Sequence, residues 1–194
     1  MKFRNETDMC IACQCAPVLT GLKTSNIFMA KGVSEKQLNG IFQDTSLTCR
    51  RIRRDMYLVY WPDRMQGELM DKDTQLFLRK YGYCIFRTEA VLERLTRRME
   101  CYRNGADDFP HELGVFLGYP LEDVQGFINN RGQNYLYSGY WKVYGNVDEA
   151  KRLFFGYRMA KRYVLEAVRK GWSIRAIAQD SWMESDWRLS TGNF

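Results

Sequence analysis

The groups in this chain best equipped for chemistry are the thiols of Cys10-Ile-Ala-Cys13-Gln-Cys15 and the imidazole of His111, the sole histidine, in Phe109-Pro110-His111-Glu112. A thiolate beside an imidazole base is the working pair of cysteine nucleophiles, and the same groups are soft-metal ligands. Cys15 precedes Ala16-Pro17, and the pattern that follows predicts a helix from Ala16 to about Ala30, with Pro17 in its first turn and Cys15 at the N-cap. The positive end of such a helix lowers a thiol pKa from its ordinary value of about 8.5. His111 falls in the first turn after Pro110, where the helix dipole disfavours the protonated ring and leaves a neutral base. The catalytic expectation is therefore Cys15 as nucleophile and His111 as general base, with Glu112 beside it. Neighbouring helical residues point about 100° apart, so Glu112 is a poor orienter of His111. Asn26, Asp107, Asp108 and Asp123 are the other candidates. Against all this stands a plain packing role, because cysteine is among the most buried residue types.

Two further sets of residues extend the site. Lys23 and Asn26, on the predicted helix after Cys15, are candidate substrate contacts. So are Tyr140 and Lys142, which share one face of a strand expected over Gly139–Tyr144, with Trp141 and Val143 on the other face. The alternative metal reading takes Cys10, Cys13 and Cys15 as half of a zinc or iron–sulfur site. No second Cys-x-x-Cys follows, so Cys49, Cys84, Cys101 or His111 would have to complete it. No cofactor is assigned.

The elements that must position these groups are mostly helical. Ser34 caps a short helix to Phe42, Asp63 one to about Lys80, and Thr88 one that carries Val91, Leu92, Leu95 and Met99. Short helices open at Pro110 and Pro120, and a long one runs from Val147 to Lys170. Strands are expected at Arg54–Trp61, Tyr83–Phe86 and Gly139–Tyr144. The fold class is α+β: a single helix-rich domain, residues 1–194, around a small sheet of about three strands, with a mobile arm over 1–14 and a tail over 172–194 to which the sequence pattern assigns no element.

Composition narrows the partners. The 194 residues include 45% hydrophobic and 27% charged residues, ordinary for a globular chain with a real core. No apolar run approaches a membrane span, and the polar N-terminus is unlike a secretory signal. A cytoplasmic protein with reduced cysteines is expected, without a membrane partner. The net charge of +6 favours nucleic acid or another anionic partner. On the long helix Lys151, Arg158, Arg162 and Arg169 fall within about 20° of one line, opposite an apolar face. Such a stripe follows phosphates or is simply the solvated side of the helix.

Three segments carry a resemblance: Cys15-Ala-Pro-Val-Leu-Thr-Gly-Leu-Lys23-Thr-Ser-Asn26-Ile-Phe28, Phe109–Val124 and Gly139-Tyr-Trp-Lys-Val-Tyr144. With them the chain resembles a bacterial family of unknown function, DUF3793, found largely in anaerobes. Gln14 stands where that family often carries a histidine. The resemblance implies no activity. The residues themselves favour a cysteine-dependent enzyme acting on a small acyl, amide or thiol substrate. The alternatives are a binding module for an anionic partner through the basic stripe and a metal or redox accessory protein.

Overall fold

The computed structural model describes residues 2–84 and 87–180. In chain order its elements begin α1 (Lys2–Leu19), β1 (Ser25–Met29), α2 (Glu35–Ile41), β2 (Thr48–Arg53) and β3 (Met56–Tyr60). Then come α3 (Pro62–Leu69), α4 (Lys72–Arg79), α5 (Thr88–Arg103), α6 (Leu113–Phe116) and α7 (Leu121–Asn129). The series ends with β4 (Tyr137–Ser138), β5 (Lys142–Val143), α8 (Val147–Arg169) and α9 (Ile174–Gln179). The class is α+β, helix-rich with a small three-stranded sheet. The chain divides into two compact units, residues 1–61 with 155–194, and residues 62–154. No described helix is long and apolar enough to cross a membrane.

The first unit is built on an antiparallel sheet of order β1-β3-β2. Phe28 pairs with Tyr57 and Cys49 with Val59, so these four side chains share one face, and all join the core formed with α1, α8 and α9. Between β2 and β3 the chain turns through Arg54-Asp55, with Asp55 at φ 59°. Ser34 caps α2 as expected, in a reciprocal capping box with Gln37.

Residues 17–30 are the main correction. The expectation there is one helix from Ala16 to about Ala30, with Pro17 in its first turn. Instead α1 arrives from the N-terminal side, includes residues 2–14 of the expected arm, and ends at Leu19, while Ser25–Met29 form a strand. Pro17 cannot donate to the carbonyl four residues back, and Gly21 at φ 75° turns the chain out of the helix. The last carbonyls of α1 find other donors. Ala16 O receives Thr20 N, Pro17 O receives Lys23 N, and Val18 O receives Gly21 N and the Trp61 indole. Cys15 therefore sits in the last turns of a helix rather than at a helix start.

In the second unit, the helix expected over 63–80 is two. Asp71 breaks it by capping α4, accepting from Thr74 N at 2.9 Å. Thr88 is the first residue of α5 rather than its cap, and its hydroxyl donates to Gln66 at 2.6 Å. Tyr83 and Cys84 are not in a strand, and the rest of that expected strand, residues 85–86, lies outside the described residues. The strand expected over Gly139–Tyr144 is a two-stranded hairpin, β4 against β5, with Tyr137 opposite Val143 and Gly139–Trp141 in its turn. Within the expected tail, Ser173 caps α9, and Trp182 and Trp187 lie outside the described residues.

Candidate functional site

A cavity of about 370 Å³ lies within the second unit, walled by the Phe109–Leu117 segment, α7 and the β4–β5 hairpin. Pro120 opens α7, and the helical period sets Val124 and Phe127 on one side of it, both lining the cavity. Asp123, buried on the same helix, fixes the hairpin. It accepts from the Trp141 indole N–H at 2.6 Å, Tyr144 N at 2.6 Å and Gly145 N at 2.9 Å. At the turn, Gly139 lies so close to Phe154 that a Cβ would fall 2.2 Å from the ring.

The cavity is apolar and aromatic below and polar at its rim. Leu113, Leu117, Val124 and Phe127 supply aliphatic and aromatic surface. Tyr119 and Trp141 stack at 4.8 Å with 25° between their planes. Burial pushes the Tyr119 phenol pKa up, so its hydroxyl keeps its proton. His111 is exposed in the turn before α6, its ring 5.2 Å from Phe109 and 5.0 Å from Phe127. Its nitrogens make no hydrogen bond among the described residues, which leaves a donor and an acceptor for a bound molecule. The Lys142 ammonium donates to Gly132 O at 2.6 Å and lies 4.7 Å from the Tyr135 ring centre. An ammonium carries three donors, so that bond leaves others for a ligand. Tyr140, 42% exposed, packs on Phe154 at 5.4 Å. Of the expected site residues, then, His111, Tyr140 and Lys142 meet in one cavity.

Glu112 turns the other way. It is fully buried at the start of α6; its Oε1 accepts from Arg98 Nε and, at 3.0 Å, from the Tyr83 hydroxyl. Its Oε2 is buried without a hydrogen-bond partner among the described residues. Burial, reinforced by the Glu112 charge, drives the Tyr83 phenol pKa far up. The carboxylate thus ties Arg98 of α5 and Tyr83 to the start of α6 and does not orient His111. A second cavity of about 300 Å³, lined by Arg98, Asp107, Asp108 and Glu112 among others, shares Phe109 and His111 with the first.

Cys15, Lys23 and Asn26 belong to the first unit, and His111 to the second. Cys15 is fully buried, and burial, helped by the neighbouring Cys49, raises its pKa well above the ordinary thiol value, with Lys23 opposing. The helix start expected to activate it is absent, and the helix end nearer to it carries the negative dipole. Lys23 is 6% exposed and donates to Asn26 Oδ1 at 2.7 Å, while the Asn26 amide donates to Gln14 O. The pair braces the end of α1 against β1. The three clustered thiols spread around α1: the Cys10 thiol donates to Met29 O at 2.9 Å, Cys13 is exposed and Cys15 is buried. Among the described residues, no three Cys, His, Asp or Glu side chains gather as a metal site would require.

Lys151, Arg158, Arg162 and Arg169 are all exposed along α8. None is paired with a carboxylate among the described residues; Lys151 lies over the Tyr137 ring and Arg158 over that of Phe155.

Residues 11–178 match the family described as Protein of unknown function (DUF3793). The chain belongs to this family. No curated protein and no solved structure gives a significant match. Two of the segments on which the resemblance was drawn, 109–124 and 139–144, supply most of the cavity wall. The rings of Phe109, Tyr119, Phe127 and Trp141 were not picked out as site residues from sequence. Their signal was present as aromatic density in those two segments, but aromatic side chains at such spacings are also ordinary core.

Proposed function

We propose that this member of the DUF3793 family binds a small molecule in the aromatic cavity of residues 62–154, and that the ligand is a compact, largely apolar anion such as an aromatic carboxylate. The observation that carries the reading is the composition of that cavity. A volume of about 370 Å³ is of ligand size, its floor is apolar, and two polar groups with unused hydrogen-bonding capacity, His111 and Lys142, stand at its rim. An apolar body fits the floor between Leu117, Val124 and Phe127, and the anionic group takes the Lys142 ammonium and the His111 ring. If the bound molecule reacts, His111 is the group placed to exchange a proton with it. Cys15 as the nucleophile has weaker support, because a fully buried thiol with a raised pKa holds almost no thiolate near neutral pH.

Anilinonaphthalene sulfonate, an aromatic body with one anionic group, is a direct probe. One saturable site per chain is expected. Leu117→Trp, which fills the cavity, should weaken binding at least roughly tenfold, and Lys142→Met should weaken it by about threefold to tenfold, a loss of about 0.7–1.4 kcal/mol. Far- and near-ultraviolet circular dichroism show whether each variant keeps its fold. Undiminished binding by a folded Leu117→Trp protein overturns the proposal.

A further inference from the structure

We infer that the solvent face of α8 between Phe155 and Arg169 is a binding surface for single-stranded nucleic acid, separate from the cavity. The first observation is where the charge lies. Residues 1–61 and 155–194 carry 16 Lys and Arg against 9 Asp and Glu, whereas residues 62–154 carry 13 against 14. The positive excess of the chain therefore belongs wholly to the unit that contains this stretch of α8.

The second observation is the order of side chains along that face. Tyr157, Ala160, Val164 and Ala167 are buried and fix the helix in its core. On the opposite side Arg158, Arg162 and Arg169 point within about 20° of a common line over roughly 16 Å of helix. All three are exposed, and none has a carboxylate partner among the described residues; Glu166 is the sole acidic residue on this stretch. A run of unpaired guanidinium groups at helical spacing is suited to successive phosphates.

The third observation chooses the kind of nucleic acid. Phe155 is 50% exposed about 40° from the arginine line, with the Arg158 guanidinium 5.8 Å from its ring centre. Trp172, 45% exposed, follows the last arginine, and its backbone is held by the cap that ends α8. In that cap Gly171 N donates to Val168 O and Trp172 N to Ala167 O, each at 3.0 Å. Rings about half exposed at both ends of a cationic run offer aromatic surface on which bases stack. A single strand has free base faces to use them; a duplex keeps its bases stacked within, and an acidic polypeptide has no comparable planar groups.

The test is fluorescence anisotropy of the whole chain with fluorescein-labelled oligothymidylate and oligouridylate of about twelve nucleotides, at rising potassium chloride. Three to four phosphate contacts give log K against log salt a slope of about −2 to −3. Arg158→Glu with Arg162→Glu should weaken binding tenfold or more and flatten the slope by about 1.4. Phe155→Ala should weaken binding roughly fivefold or more and leave the slope unchanged, because it removes stacking and no charge. Lys72→Glu with Lys80→Glu, the same charge change on exposed residues of the other unit, is the control. The inference is overturned if the unaltered chain does not bind at low salt or if the control loses as much as the arginine variant. It is equally overturned if Phe155→Ala binds as before, or if duplex DNA or polyglutamate competes as well as the single strand. Far- and near-ultraviolet circular dichroism of the same variants shows that they are folded.

Discussion

Removing the cation from the Arg98–Glu112 pair tests how the second unit is held together. The Glu112 side chain is 1% exposed and that of Arg98 17%, so the pair lies almost out of water. Arg98→Met leaves the carboxylate with one remaining donor, the Tyr83 hydroxyl at 3.0 Å. Breaking a buried pair by deleting one partner costs about 3–5 kcal/mol, because the other charge stays buried. The partial exposure of Arg98 pulls the figure toward the lower end. Lost contact between the guanidinium and the Tyr81 ring, 5.5 Å away, adds about 0.5–1 kcal/mol. The contact with Asp107, at 4.0 Å and half exposed, adds less. A destabilisation of about 3–4 kcal/mol is expected, read from urea unfolding by circular dichroism and from amide exchange along α5. The double variant Arg98→Met with Glu112→Leu removes both charges and should return to within about 1–2 kcal/mol of the unaltered protein. An Arg98→Met cost under about 1 kcal/mol would refute the reasoning, as would a double variant whose cost is the sum of the two singles.

The thiols should separate sharply by position. Maleimide labelling of the native chain near neutral pH should reach the exposed Cys13 and Cys84 first and spare Cys15 and Cys49 until the chain unfolds; labelling of Cys15 at the rate of Cys13 refutes the buried placement. Burial raises both buried thiols above the ordinary thiol value of about 8.5, so the native state keeps protons that the unfolded chain releases above that pH. Stability should be unaffected by these groups well below about pH 8.5 and should fall as pH rises beyond it, by up to about 1.4 kcal/mol per unit for each thiol. Cys15→Ala with Cys49→Ala should flatten that alkaline slope in denaturant titrations. At the cavity rim, Gly139→Ala puts a methyl group 2.2 Å from the Phe154 ring, and the overpacking should cost about 1–3 kcal/mol and weaken the fluorescent probe; unchanged stability would mean that the hairpin does not sit against Phe154.

Where residues carried their own local instructions, the sequence was readable. Ser34 with Gln37 announces a capping box, and Val91, Leu92, Leu95 and Met99 announce the buried side of α5. Pro120 with Glu122 and Asp123 likewise announces the start of α7. Residues 17–30 failed because their competing signals are settled elsewhere. Pro17 fits a helix start as well as it fits the last turns of one, and Asn26 becomes a strand residue by pairing with Val59, more than thirty positions away. The same holds for Gly139–Tyr144, which alternates like a strand but folds back on Tyr137-Ser138 because Asp123 gathers Trp141, Tyr144 and Gly145.

For the candidate site the division is similar. Sequence alone determined the kinds of group available: one imidazole, six thiols, a cationic line on the long helix and two aromatic segments. It also singled out His111, Tyr140 and Lys142, three residues that line one cavity. Tertiary structure decided their company. Cys15 is sealed in the sheet core of one unit, Lys23 and Asn26 bind each other, and Glu112 faces Arg98 and Tyr83. Helical and strand periodicity arise from neighbours a few residues apart, whereas burial and hydrogen-bond partners depend on which distant segment arrives opposite. Thiol reactivity and carboxylate role follow burial and partners, so they were decided by the fold.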